Sequence, residues 1–394
     1  MMKAFQFRIY PNKNQEVKLN RTLTTCRKLY NDALAERKRQ TELNNLCKDF
    51  GVFPWGKPEW INYYDQANAL TDNKNTFQQE IYSQVLQNTL KRVDRSFKNF
   101  FNGFGYPRFQ GRDRYNSFTY PQTGFGLKSG KINLSKIGNI NIIQHREIGG
   151  TIKTCTIKKD VNQWYAIFTT ETEKIIEKVF VKTKIGIDVG VTSLLTLSNG
   201  EQIAAPKFLR LSESKLVRVQ RELNRKNKGS TNKQKQRTKI AIVHRKIRNQ
   251  RKDFAHKTSR MLVNTYDHIV FEDLNIKGMV QNHRLAKSIS DAGWYQLISL
   301  TKSKAEYAGK IVEQVNARNT SQNCSQCGNP VPKNLSLRTH SCPLCGLVLD
   351  RDHNAAINIL MKSKNTVGIT GIKACLSNLN REPMKQEAPS PQWE

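Results

Sequence analysis

Two Cys-x-x-Cys pairs, Cys324/Cys327 and Cys342/Cys345, constrain this chain more than any other feature. Separated by a short polar stretch, they can surround one Zn²⁺ with four thiolates, and Gly328 and Gly346 follow the second cysteine of each pair, where a tight turn aims backbone amides at sulfur. The spacing predicts a zinc ribbon over 320–350. Four cysteines fill a closed structural site, so His340 and His353 read as bystanders, with His340 a weak substitute ligand. Directly after the ribbon stand Asp350 and Asp352, then an apolar helical pattern over Asn354–Met361. A structural metal site is thus set beside carboxylates.

The balance of 65 Lys+Arg against 32 Asp+Glu, a formal charge of +33, is self-repelling unless a polyanion neutralises it, which makes nucleic acid the expected partner. A membrane is excluded as partner: no run of about 18 apolar residues exists, and the cations are spread along the chain. The N-terminus has neither a long apolar core nor a small-residue cleavage site, which argues against secretion. Cys26, Cys47, Cys155 and Cys375 show no pairing pattern, in keeping with a reducing, cytoplasmic setting.

In the first half, Phe5, Phe7 and Ile9 alternate with polar neighbours in a strand that stops at Pro11-Asn12. Helical spacing follows, with Val17, Leu23, Cys26, Tyr30, Ala33 and Leu34 on one stripe. A second helical pattern from about Phe77 to Phe101 carries Ile81, Val85, Leu86, Leu90, Val93, Phe97 and Phe101 as its stripe. Its outer face presents Gln84, Gln87, Asn88, Lys91, Arg92, Arg95 and Lys98, amides interleaved with cations, the mixture a helix needs to read base edges while holding phosphates. After the aromatic and basic hinge Gly103-Phe104-Gly105-Tyr106-Pro107-Arg108-Phe109, short β patterns separated by turns run from Ser117 to Thr172. They predict a small antiparallel barrel, which the first strand could join, leaving the helices as an insertion.

In the second half, GIDVGV places Asp188 in an apolar strand that opens a three-stranded meander, the way an RNase H-like domain begins. HIVFEDL places Glu272 at the end of another strand, and a helix (Gly293–Lys310) and strand (Ile311–Val315) supply the remaining alternation of an α/β sheet. With Asp350 and Asp352, acids from three segments can converge at one sheet edge and hold two Mg²⁺ ions about 4 Å apart for phosphodiester hydrolysis. Between Lys207 and Arg260 lie nineteen Lys or Arg against three acids in two helical patterns joined near Gly229-Ser230. That density, including Arg218, Arg225, Arg245 and Lys246, predicts a phosphate-backbone track. Asp291, before Gly293-Trp294, reads as a cap for the helix that follows or as an acid close to the metals, with the cap favoured. The tail beyond Lys362 reads as polar and disordered.

GIDVGV, FEDL, SISDAGW, the cysteine pairs and DRDHNAAINI stand in order and, with YPN near the start and GFGYPRFQ at the hinge, resemble the TnpB family. Its members are transposon-encoded RNA-guided DNA endonucleases, similar to the nuclease half of type V CRISPR effectors. The resemblance implies a wedge β-barrel (1–12 and 105–180) with an inserted helical recognition domain (13–104), a RuvC nuclease domain (181–361) carrying the zinc ribbon, and a flexible tail (362–394). It places the catalytic, Mg²⁺-binding triad on Asp188, Glu272 and Asp352, because the family's acid directly precedes x-Asn-Ala. It also implies a guide RNA across the basic surfaces, a short motif read in target double-stranded DNA near Gln84, Gln87 and Asn88, and cleavage of both strands at one site. The competing readings are a nuclease-inactive RNA-guided repressor, whose mark is an eroded triad, and an RNA-independent transposase, whose mark is a separate helix-turn-helix or a nucleophilic Ser or Tyr.

Overall fold

The computed structural model describes residues 2–53, 56–173, 180–334 and 337–363, arranged in two compact units, Met1–Lys174 and Ile175–Glu394. The predicted tail lies almost wholly outside the described residues. No described helix is long and apolar enough to cross a membrane.

The first unit rests on a seven-stranded antiparallel sheet. Its strands are β1 (Met2–Tyr10), β2 (Ser117–Tyr120), β3 (Phe125–Lys128), β4 (Lys131–Leu134), β5 (Gly138–Ile143), β6 (Thr151–Asp160) and β7 (Gln163–Glu171), in the order β2-β6-β7-β1-β5-β4-β3. β2 and β3 stand at opposite edges, yet only residues 121–124 join them. That link spans about 18 Å at most, whereas the edges of a flat sheet of this width lie about 29 Å apart. The sheet must therefore curl, and across its seam the Tyr120 and Phe125 rings meet at 6.5 Å. The sheet is curled in the manner of the expected barrel but left open between β2 and β3, with Phe5, Phe7 and Ile9 of β1 buried in its core.

Between β1 and β2 the chain inserts α1 (Lys13–Asp49), α2 (Tyr63–Asp72), α3 (Thr76–Gln79) and α4 (Ser83–Phe101). The first three each start with an asparagine capping box, Asn12/Gln15, Asn62/Asp65 and Asn75/Gln78, which satisfies amides that a helix start leaves without partners. Cys26, Tyr30 and Leu34 of α1 share one core with Val85, Leu86, Leu90 and Val93 of α4. Four expectations need correction. Val17, expected on the apolar stripe of α1, is exposed. The Phe77–Phe101 pattern is two helices, because Asn75 caps a short one that ends at Gln79 and α4 restarts at Ser83. Arg92 does not face outward: it donates to Ser117 O (2.6 Å) and Thr119 Oγ1 (3.0 Å) and lies over Tyr115, docking β2 on α4. Phe101, expected inside, is 78% exposed.

The second unit is a five-stranded mixed sheet of order β10-β9-β8-β11-β12. β8 (Lys184–Val189), β9 (Ser193–Leu197) and β10 (Gln202–Ala204) form the antiparallel meander, while β8, β11 (His268–Asp273) and β12 (Ile311–Asn316) run parallel. α5 (Phe208–Asn224), α6 (Thr231–Thr265), α7 (Ile276–Met279), α8 (His283–Ala292) and α9 (Trp294–Tyr307) complete this half. Ile269 and Phe271 of β11 pack with Leu262 of α6 and Leu297 of α9. Val270, pointing the other way, packs with Val315 and with Ile359 of the helix over 351–363, here α10. A Cβ on Gly186 would sit 2.2 Å from Ala356 O, so only glycine lets α10 lie this close to β8.

α5 and α6 are the predicted basic pair, with Arg218, Arg225 and Lys246 exposed. Arg245 departs from the expectation: it is buried, as are Val243 and Ile247 on either side of it along the helix. Asp291 also differs. It lies on α8 and accepts from Leu209 N at 3.1 and 3.2 Å and from Arg251 Nε at 2.8 Å. It therefore caps α5 from across the fold, while the helix that follows it, α9, starts on Gly293 with no side-chain cap.

Candidate active site

β13 (Thr339–Ser341) and β14 (Val348–Asp350) form the ribbon's hairpin, and the two knuckles bring the four sulfurs within 4.8 Å of one another. Cys324 and Cys345 sulfurs stand 3.5 Å apart and those of Cys327 and Cys342 3.6 Å. A tetrahedral ion with Zn–S bonds of about 2.3 Å has S···S edges of about 3.8 Å, so the donor set fits Zn²⁺. The Cys345 amide, joined by that of Leu344, is aimed at the Cys342 sulfur and pulls this thiol down to about 6 against the opposing effect of burial. His340 stands outside the four-sulfur group, fully buried and paired through Nδ1 with Lys333. His353 bonds Ser198 O through Nε2 at 3.2 Å, so both histidines have partners outside the four-sulfur group.

The acids come from both sheet and helix. β8 and β11 pair in parallel with Ile187 opposite Phe271, which sets Asp188 and Glu272 side by side one residue further on. Two residues before each acid, Gly186 lies against Ala356 and Val270 packs on Ile359. Alternation with period two therefore turns both carboxylates to the α10 side of the sheet. Glu272 is 7% exposed and accepts from Thr320 Oγ1 at 2.6 Å; burial pushes its carboxyl up, opposed by this bond and by Lys362.

The two aspartates after the ribbon have different places. Asp350 Oδ1 accepts from the amides of Asp352 (2.9 Å) and His353 (3.1 Å), so it caps α10. Asp352, in the first turn, holds Arg338 on Oδ2 (3.0 Å) and Arg351 Nε and Nη2 on Oδ1 (3.2 and 3.1 Å). Asp188 is pushed up to about 7 by burial first, then by the charges of Glu272 and Asp352, with Arg351 and the Val189 amide opposing. The three carboxylates thus share one electrostatic site, wider than the thiol cluster, since among the described residues only the cysteines close within 4.8 Å. Crowded hard oxygen donors, with the Asp188 and Glu272 carboxyls pushed up, are a donor set that a divalent cation such as Mg²⁺ relieves and satisfies.

Ribbon and α10 are tied directly. Asn354 accepts from Ser325 N (2.9 Å) and donates to Asn323 O (2.8 Å), and Asn358 donates to Thr320 O (2.8 Å) and Asn323 O (2.7 Å). Sequence reasoning missed Thr320, Arg338, Arg351 and this asparagine pair. The pair had a signal: Asn354 and Asn358 are four apart on one helix face, amid apolar neighbours.

On α4 of the first unit, Gln84, Gln87 and Asn88 are half-buried and Lys91 is exposed, its ammonium 5.3 Å from the Tyr63 ring centre. Gln84 Oε1 accepts from Thr123 Oγ1 (3.3 Å), which also bonds the Tyr82 hydroxyl (2.8 Å).

Residues 167–283 match a family described as "Probable transposase", residues 294–359 a "Cas12f1-like, TNB domain" and residues 1–45 a "Helix-turn-helix domain". In the structure the last of these stretches is β1 and part of one uninterrupted helix, α1. A "Putative RNA-guided DNA endonuclease" of Streptomyces pristinaespiralis is 35% identical over 370 residues, covering 91% of this chain and 88% of the relative. The Escherichia coli K12 "Putative RNA-guided DNA endonuclease InsQ" is 31% identical over 377 residues, covering 91% and 92%. The cryo-EM structure of a Cas12f1-sgRNA-target DNA complex shares the fold, with a TM-score of 0.54, 14% identity and coverage of 91% of this chain and 98% of that one.

Proposed function

Because the chain belongs to the TnpB family of RNA-guided DNA endonucleases, we propose that it binds a transposon-derived guide RNA, recognises a short motif beside its target and hydrolyses both strands of double-stranded DNA. The observation that carries this reading is the meeting of Asp188, Glu272 and Asp352 on the α10 side of a mixed sheet, in a chain whose charge is +33. The sheet's meander followed by parallel strands supports an RNase H-like, RuvC-type nuclease fold.

Asp188, Glu272 and Asp352 would hold the Mg²⁺ ions, which supply an activated water and charge stabilisation for the leaving 3′ oxygen. Thr320 fixes the rotamer of Glu272, and the Asp350 cap fixes the first turn that presents Asp352. Arg338 and Arg351 hold the Asp352 carboxylate in place and add positive charge where a phosphate enters. The four cysteines would hold one Zn²⁺ as a structural clamp, and through Asn354 and Asn358 that clamp positions α10. Exposed cations of α5 and α6, Arg218, Arg225 and Lys246 among them, suit the nucleic-acid backbone, and Gln84, Gln87 and Asn88 suit base edges.

Co-expressing the protein with its genomic flank, sequencing the RNA that co-purifies and assaying plasmid cleavage with that RNA and Mg²⁺ tests the reading. A discrete RNA whose variable end directs the cut site is expected. Cleavage that ignores the RNA sequence overturns it.

A further inference from the structure

Neither the acidic site nor the zinc cluster gives a use to the GFGYPRFQ segment, residues 103–110. Phe101, Phe104 and Phe109 are 78%, 67% and 51% exposed, three large apolar rings held in water within nine residues. Three large apolar side chains exposed along one short stretch point to a place where something binds.

The segment is braced at its middle and at its far end. Tyr106 packs edge-on against Phe97 (5.9 Å) and Phe100 (5.2 Å). Four residues later Gln110 N donates to Asn31 Oδ1 at 2.8 Å, and Asn31 Nδ2 donates back to Gln110 O at 3.1 Å, pinning the chain to α1. The exposed rings are therefore presented by a fixed backbone, so little ordering entropy opposes a partner that stacks on them. The charge around them has one sign: residues 95–114 contain five Lys or Arg and one acid, Asp113, and Arg108, Arg112 and Arg114 are all exposed.

Flat apolar faces interleaved with cations fit a ligand that alternates π-faces with phosphates. We propose that Phe101, Phe104 and Phe109 form a stacking platform for unpaired nucleotides of the guide RNA, with Arg108 and Arg112 on the adjoining phosphates. This rests on the RNA-guided reading above. Guide RNA is favoured over target DNA because the rings are exposed in the resting protein, and the partner that covers them must accompany it throughout. Target DNA arrives as a duplex with its base faces already stacked.

The test is equilibrium binding of the guide RNA to the full chain, with nucleobase-resolved chemical probing of the bound RNA. F101A/F104A/F109A is expected to raise Kd about tenfold or more, to leave the salt dependence unchanged and to expose one or more nucleobases that the wild type protects. Arg108→Ala should instead lower the salt slope by about 1. F101Y/F104Y/F109Y, which keeps the rings, should bind like wild type, and unchanged circular dichroism and Tm exclude misfolding as the cause of the alanine result. Failure of the wild type to bind RNA overturns the functional reading and the platform together. Wild-type RNA binding that the alanine variant matches, with the same nucleobases protected, overturns the platform alone. The platform is overturned equally if RNA binding is kept while only displaced-strand DNA or a protein is lost.

Discussion

Thr320 gives its hydroxyl proton to Glu272 Oε1 at 2.6 Å while its own carbonyl accepts from Asn358. One residue thus touches the acid on β11, the lead-in to the zinc knuckles and the helix that carries Asp352. A hydrogen bond to a charged group contributes about 1.5–3 kcal/mol, so Thr320→Val should slow cleavage about tenfold or more with zinc content unchanged, and Thr320→Ser should cut nearly as the wild type does. Single-turnover rates measure this, and equal rates for valine and threonine would remove the positioning role.

Asp350 and Asp352 should separate cleanly. Asp352→Ala and Asp188→Ala are expected to abolish Mg²⁺-dependent cutting with RNA and DNA binding retained, since they remove ligands and no backbone contact. Asp350→Ala loses a helix cap, costing about 0.5–2 kcal/mol of stability, and should cut at a reduced rate. Plasmid cleavage beside thermal unfolding decides it; an active Asp352→Ala beside an inactive Asp350→Ala would reverse the two roles.

The raised carboxyl of Asp188, about 7, predicts a pH dependence. An unfolded aspartate ionises near 3.9, so between about pH 4 and 7 the native state binds the extra proton, and its stability falls as pH rises through that window. Asp188→Asn carries no such proton. In Mg²⁺-free buffer without chelator its Tm should exceed that of the wild type at pH 8 and differ little at pH 4, with added Mg²⁺ raising the Tm of the wild type alone. A Tm difference that does not grow with pH would show that Asp188 is not strained by its neighbours.

Metal analysis of the pure protein should find one zinc per chain. Cys342→Ser should lose it and, by releasing the Asn354 and Asn358 contacts, abolish cutting while residues 2–173 keep their protection in hydrogen exchange. Full activity without zinc would break the link between clamp and site.

Gly186→Ala places a methyl 2.2 Å from Ala356 O, where backbone must move. A loss of stability of about 3 kcal/mol or more, seen as a lower Tm, is expected together with loss of cutting, because α10 shifts off β8. A variant that melts and cuts like wild type would mean that α10 does not lie where the structure puts it.

Much of this was legible in the sequence because local signals and tertiary contacts agree. Apolar strands carrying Asp188 and Glu272 near their ends announced the sheet, the knuckle spacing announced the thiol cluster, and Pro11-Asn12 marked where the first strand gives way to helical spacing. The failures share a cause, namely long side chains whose partners are remote in sequence. Arg92 reads as a solvent cation until β2 arrives 25 residues later to accept its protons, and Asp291 reads as a cap for its own neighbour until α5 comes within reach. Asp350 and Asp352 could be told apart only by resemblance, since capping and coordination ask for the same side chain.

The order of synthesis gives the position of Asp352 a further meaning. The first unit is complete at residue 174, whereas the last acid follows 178 residues later (352 − 174). At about 5–20 residues per second, the ribosome leaves some 10–35 s during which the first unit can fold on a chain that still lacks one carboxylate of its acidic site. The acidic site is therefore among the last parts of the described chain to be completed.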